Sequence, residues 1–336
     1  MTPRAELSRR FLVQNGVDHW QRRFLAGDAS PRSYDRLCLG DKTLVLMDAP
    51  PERGEDVRPF IKMARHLRSL GLSAPEILAA DEENGFLLLE DLGDDLYARV
   101  LDEGADPTAL YTTALNALHI LQKSPAPPDI PDHSPTFMAE AAGLAVNWYA
   151  RAVTGTAQDP SPLIKAMASA MAAHCTEAPV LVLRDCHAEN LLWLPKREGA
   201  ARAGLLDFQM GSLGQPEYDV ISLLQDARRD VDPAFADAMI THFAALRGAH
   251  PERTALACAV LGAQRNLRIL GGFTRLSLHF GKPGYVRLIP RVWGHLQRCL
   301  ARPELADLRD ITARLPPPDA TALKRIEDLC GTCPDP

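Results

Sequence analysis

The segment VLRDCHAENLLWL, Val182 to Leu194, sets Arg184, Asp185, His187, Glu189 and Asn190 between two apolar runs. Short apolar runs bounded by polar turn formers read as buried strands, with the polar cluster as the loop between them. A loop fixed at both ends by core strands is a rigid mount for chemistry, and the chain must build a core around it. The 336 residues, 46% of them hydrophobic, suffice for that core, and the length suggests two domains or lobes.

Organisation along the chain changes near residue 93. SYDRLCL and TLVLMDAP, separated by Gly40-Asp41-Lys42, read as a hairpin, and EILAAD and GFLLLED as another around Glu82 to Gly85. Between them, Phe60, Met63, Leu67 and Leu70 recur at helical spacing. Beyond Asp94 the pattern is mostly helical, near 108–123, 136–153, 162–174, 217–229, 233–246, 252–271 and 285–300, with AGLLDFQMG and the polar loop as strand-like interruptions. This predicts an α+β chain, with a small β-rich lobe over 1–93 and a larger helical lobe over 94–336, joined near 88–93, with a tail from about 316.

A net charge of -6 and a pI near 5.9 leave no basic footprint for nucleic acid. The first residues break their apolar positions with charges, unlike a signal peptide, and no stretch approaches a membrane span, so the cytoplasm is the expected compartment. Seven cysteines, an odd number, read as reduced thiols, and Cys330 and Cys333 in the terminal CGTC as an exposed tail.

Asp185 and Asn190 share one loop, and Asp207 opens DFQ at the end of a second short strand. That order suits metal-dependent phosphoryl transfer. One carboxylate takes the proton of the attacking hydroxyl, while an amide oxygen and a second carboxylate hold Mg²⁺ against nucleotide phosphates. On LRDCHAEN, the spaced Asp207, LLLEDLG and PEYDVISLL, the chain resembles the aminoglycoside phosphotransferase and choline kinase group of protein-kinase-like small-molecule kinases, with Leu183 where their loop usually has a first histidine. The resemblance implies ATP and Mg²⁺ as cofactors and Asp185 as base. It also implies Asn190 and Asp207 as metal ligands and Glu90, Asp91 and Leu92 as the hinge whose backbone meets adenine. Asp219 would brace the catalytic loop, although a helix cap is an equally simple role for it. Arg184, His187 and Glu189 are the loop's candidates for meeting substrate; His187 also suits ordering the loop through hydrogen bonds.

Two departures concern the nucleotide phosphates. Such kinases carry a lysine on the third strand paired with a helix glutamate; here Met47 and Met63 occupy the expected positions. Losing both together is coherent, because either charge alone would carry a desolvation cost. Lys42, Arg32, Arg53 and Lys62 are candidate substitutes. Ser30 and Ser33 of GDASPRSY replace the glycines of a nucleotide-covering loop, where hydroxyls and backbone N–H groups can still bond phosphate.

LMDAPPE, QRNLRILGGFTRL and RLIPRVW are similar to segments of the bacterial kinases that phosphorylate the anomeric hydroxyl of N-acetylmuramate and N-acetylglucosamine in cell-wall sugar recycling. By that resemblance a small sugar and a nucleotide are the expected partners, and the lysine-free strand is a family trait. A lactyl carboxylate would call for a guanidinium fork, which Arg265, Arg268 or Arg275 can supply; a solvated helix face is their alternative role. Two other readings stay open: a kinase of an aminoglycoside or choline-like alcohol, and a nucleotide-binding pseudokinase.

Overall fold

The computed structural model describes residues 2–27 and 31–332. The chain opens with α1 (Pro3–Gln14), then β1 (Gln21–Gly27), β2 (Ser33–Leu39), β3 (Lys42–Asp48), α2 (Arg58–Ser69), β4 (Ile77–Asp81), β5 (Phe86–Glu90), α3 (Tyr97–Asp102) and α4 (Pro107–Lys123). Next come α5 (Pro135–Ala142), α6 (Arg151–Thr154), α7 (Ser161–His174) and β6 (Val180–Val182). After the polar loop follow β7 (Leu191–Trp193), β8 (Ala203–Leu205) and β9 (Ser212–Gly214), then α8 (Glu217–Leu224), α9 (Pro233–Arg247), α10 (Pro251–Leu278), α11 (Ile289–Leu300), α12 (Ala306–Thr312) and α13 (Ala320–Asp328).

Contacts divide the chain into two compact units: residues 1–129 with 188–211, and residues 130–187 with 212–336. These are drawn differently from the lobes expected to meet at residue 93. Pairing explains why 188–211 joins the first unit: the Leu205 N–H donates to the Ser73 carbonyl at 2.7 Å, and the Trp193 N–H to the Asp95 carbonyl at 2.7 Å.

In the first unit, among the described residues, an antiparallel five-stranded sheet runs β1-β2-β3-β5-β4. Both expected hairpins form. Side chains alternate along β3, so Leu44 and Leu46 face one side and Val45 and Met47 the other. Both sides are buried, because α1 covers the first: Phe11 and Leu12 pack with Leu37, Leu46, Phe86 and Leu88. The sequence reading did not anticipate α1. Its signal was local: the Thr2 hydroxyl accepts from the Ala5 N–H with Pro3 at the first helical position. Arg4 then ties the helix to β3, its Nε and Nη2 donating to Asp48 Oδ1 at 3.0 and 2.6 Å. α2 buries Phe60, Met63 and Leu67 as the spacing predicts, while Leu70 is half-buried at its end.

The second unit is built on α10, whose buried residues run from Thr254 to Leu278. The helix expected over 252–271 extends to Leu278, passing through Gly271 and Gly272. The expected 217–229 helix stops at Leu224. The expected 136–153 helix is broken by a π-helical turn at Ala145–Ala150. Helix, turn and glycine belong together: a Cβ on Gly271 would stand 2.2 Å from the Leu144 carbonyl carbon and oxygen. A Cβ on Gly272 would meet no atom of the described residues within 4 Å. We therefore expect Gly271→Ala to cost about 1–3 kcal/mol of stability through overpacking. Gly272→Ala should instead gain up to about 1 kcal/mol from helix propensity. Urea denaturation of the two variants checks the pair.

Candidate active site

β6 delivers the chain to Leu183, where the polar loop begins. The Leu183 N–H donates to Asp219 Oδ2 at 2.6 Å and the Arg184 N–H to Asp219 Oδ1 at 2.8 Å. Asp219 is wholly buried on α8, whose cap residue is Pro216 and makes no side-chain cap bond, so bracing rather than capping is its role. Burial pushes its carboxyl up to about 7, and the two N–H donors pull against that rise. Arg184 takes φ +76°, a left-handed conformation costing about 1–2 kcal/mol for a residue with a Cβ. The Asp219 bonds hold the two successive peptide N–H groups, of Leu183 and Arg184, that lead into it. Leu183, Cys186 and Ala188 turn inward, which leaves Asp185 and His187 half-buried and Glu189 exposed.

Several buried groups of the second unit surround Asp185 electrostatically. His133, in the loop before α5, is 3% exposed and stands edge-on to Tyr218 at 5.2 Å between ring centres. Among the described residues neither of its ring nitrogens has a hydrogen-bond partner. Burial, then Arg184 and Arg268, lower its pKa to about 4, while Asp185 raises it. Arg268 Nη2 donates to the Tyr218 hydroxyl at 3.2 Å, and the Asp185 charge reaches its guanidinium. Arg265, 4% exposed, donates from Nη1 to the Gln225 carbonyl at 3.2 Å and also feels Asp185. Arg275 has its guanidinium 5.7 Å from the Trp148 ring centre and 5.5 Å from that of Phe280. His187 is pushed down to about 4 by burial, against the pull of Asp226. Sequence reasoning missed His133 and Tyr218. His133 lies in the proline-rich PAPPDIPDHSP, read only as a connector, and nothing local distinguishes it.

The remaining predicted residues lie in the first unit, which the chain enters after His187. β7 pairs with β8 through Leu191 opposite Leu205, and the Leu206 N–H donates to the Asn190 carbonyl at 3.0 Å. Asn190 and Asp207 therefore share one end of this hairpin. Phe208 is fully buried against Phe60, ring centres 4.8 Å apart, while Asp207 is exposed at φ +52° and accepts a hydrogen bond from Gln209. An amide oxygen and a carboxylate are hard donors. No cluster of three His, Cys, Asp or Glu able to hold a metal occurs among the described residues. That sparse set fits Mg²⁺, which keeps water and phosphate oxygens in its shell, better than a metal needing a protein cage.

On the sheet, Met47 is fully buried opposite Tyr34 on β2 and Leu87 on β5. Ser33 starts β2 opposite Asp48; Ser30 lies outside the described residues, as does Cys333. Ladder pairing of β5 ends at Glu90, opposite Leu44, so Asp91 and Leu92 run past it. Arginines hold the side chains of Glu90 and Asp91. Glu90 pairs with Arg197 at 2.5 Å and Arg68 at 3.3 Å, and Asp91 with Arg36 at 2.7 Å. Of the four candidate phosphate-binding cations, Lys42 and Arg53 are exposed, Lys62 reaches the Asp129 carbonyl at 3.4 Å, and Arg32 pairs with Glu55.

The family model described as "Phosphotransferase enzyme family" matches residues 21–256. The chain belongs to this phosphotransferase family. An N-acetylmuramate/N-acetylglucosamine kinase of Caulobacter vibrioides is 38% identical over 89% of this chain and 93% of its own. A protein of the same description from Pseudomonas aeruginosa is 35% identical over 87% of each. Among solved structures, a choline/ethanolamine kinase family protein from Mesorhizobium loti matches with a TM-score of 0.59 at 16% identity, covering 97% of this chain and 99% of its own. The fold is thus the protein-kinase-like α+β fold that the motif order implied, and no described helix is long and apolar enough to cross a membrane.

The buried histidines give this phosphotransferase a defined acid sensitivity. His133 stays neutral in the fold down to about pH 4, whereas its ordinary pKa is 6.5. The unfolded chain therefore binds more protons between these values, and stability falls as pH falls through the window. His133→Phe should flatten that decline by up to about 1.4 kcal/mol per pH unit, read from urea midpoints between pH 7 and 4.5.

Proposed function

We propose that the chain transfers the γ-phosphoryl group of ATP, with Mg²⁺, to the anomeric hydroxyl of N-acetylmuramate or N-acetylglucosamine in the cytoplasm. The observation that carries the reading is the loop of Asp185, braced by Asp219 and followed at once by the Asn190 and Asp207 pair on one hairpin end. The names of the two sequence relatives support the acceptor.

Asp185 takes the proton of the anomeric hydroxyl. That hydroxyl is more acidic than an ordinary sugar hydroxyl, so a carboxylate base faces a modest demand. The Asn190 side-chain oxygen and the Asp207 carboxylate hold the metal, which neutralises charge on the phosphate oxygens when bound. Backbone groups of Glu90, Asp91 and Leu92 meet the adenine edge, with their side-chain anchors keeping the segment in place. Met47 supplies apolar surface for the base, and Ser30 and Ser33 supply donors for phosphate. Arg184, His187 and Glu189 line the acceptor side of the loop, with His187 chiefly ordering it.

Of the three arginines of α10, Arg268 best fits an anionic substituent. It shares Asp185's surroundings and its partner is the Tyr218 hydroxyl rather than a carboxylate, whereas Arg265 is turned to the Gln225 carbonyl and Arg275 to aromatic rings. Two outcomes are expected. Asp185→Asn should bind MgATP normally and lose sugar phosphorylation by about 10³-fold or more, measured by coupled ADP release; unchanged turnover would remove Asp185 as base. Arg268→Ala should raise the KM for N-acetylmuramate about tenfold or more and leave that for N-acetylglucosamine nearly unaffected. Equal effects on both sugars would remove its carboxylate role.

A further inference from the structure

The missing strand lysine and helix glutamate leave no charge pair at Met47 and Met63, both of which are about fully buried. A cation–glutamate pair nevertheless stands in the same unit. The Arg32 Nε donates to Glu55 Oε2, with the two side chains only 16% and 9% exposed. Arg32 comes from the segment entering β2 and Glu55 from the segment entering α2, so neither occupies the position where the pattern is sought.

Tyr34 shows which side of the sheet this pair serves. It is directly opposite Met47 in the β2–β3 register, and residues directly opposite share a sheet face. The Tyr34 phenol and the Arg32 guanidinium also interact electrostatically, and the Asp207 carboxylate acts on the same phenol. Arg32 is thus linked through one side chain both to the face on which Met47 stands and to the surroundings of Asp207. Lys42, Arg53 and Lys62 have no such link: the first is at a hairpin tip, the second on an exposed 3₁₀ turn, and the third meets the Asp129 carbonyl.

We propose that Arg32 binds the α- and β-phosphates of the nucleotide, with Glu55 as its positioning residue, so that the lysine–glutamate pair has been moved to new backbone positions. The physical case rests on geometry and solvation. Met47 is buried on β3, where an ammonium would lose its water, while Arg32 sits at the sheet margin with partial exposure. A guanidinium offers five N–H donors in a planar fork, enough to hold Glu55 and also meet phosphate oxygens. Glu55 fixes the fork's direction and balances its charge when no nucleotide is bound.

This inference rests on the proposed kinase function, yet it is tested by binding alone, without an acceptor. Titrations of the full chain with MgATP, MgADP and adenosine would be compared for wild type, Arg32→Ala, Arg32→Lys and Glu55→Gln. Arg32→Ala should weaken MgATP and MgADP about tenfold or more and leave adenosine within about twofold, since only the phosphate contact is lost. Arg32→Lys should recover part of that loss, because the charge returns without the fork, and Glu55→Gln should weaken MgATP about threefold or more. Wild-type MgATP affinity in Arg32→Ala, or equal losses for MgATP and adenosine, would overturn the assignment. If wild type phosphorylates no amino sugar while the phosphate-selective loss persists, the acceptor reading fails and this one stands.

Discussion

One buried carboxylate organises the polar loop after β6. Asp219 accepts two backbone N–H groups in succession, at 2.6 and 2.8 Å, and so determines the direction in which the chain leaves β6. Without those acceptors, two amides would be buried unpaired and Arg184 would have no reason to remain left-handed. The cost of burying Asp219 is offset by charge-assisted bonds to the backbone it orients. Asp185 is next in the chain after that constrained residue, so its orientation is inherited from the brace. α8 can supply it because every one of its residues is buried, which leaves the helix little freedom to shift.

A second constraint acts on the sheet. α1 covers one face of β3 and β5, and the other face is buried as well, so the central strands are apolar on both sides. An ammonium at Met47 would sit without water and without a carboxylate on α2, where Met63 stands. The chain places its charges at the sheet's margins instead. Arg4 meets Asp48, Arg36 meets Asp91, and Arg197 meets Glu90, each joining segments far apart in sequence. The same preference for arginine accords with its planar fork, which grips carboxylates with two donors and tolerates partial burial.

Around Asp185, burial disfavours the charged form of the histidines. His133 and His187 are both pushed well below their ordinary pKa, while Arg265 and Arg268 act on Asp185 as cations. Arginine keeps its charge under desolvation where histidine does not, which gives the surroundings of Asp185 a fixed cation and adaptable neutral hydrogen-bonding groups.

Much of this protein was legible in its sequence where the signal is local. Apolar periodicity marked the hairpins of β2–β3 and β4–β5 and the helices α2, α4, α7, α9 and α10, because burying one face imposes a repeat of two or of about 3.6 residues. The order of LRDCHAEN, Asp207 and PEYDVISLL marked the phosphotransferase family, because residues at the ends of short paired strands keep their order in the chain. Tertiary structure decided what no repeat encodes. α1 found its place through Phe11 against Phe86, and α10 ran through two glycines because one of them lies against the turn after α5. His133 acquired its surroundings from α8 and α10, Arg268 was separated from Arg275 by what each packs against, and Glu55 was matched to Arg32. These choices depend on contacts between distant segments, whose partners exist only once the core has brought them together.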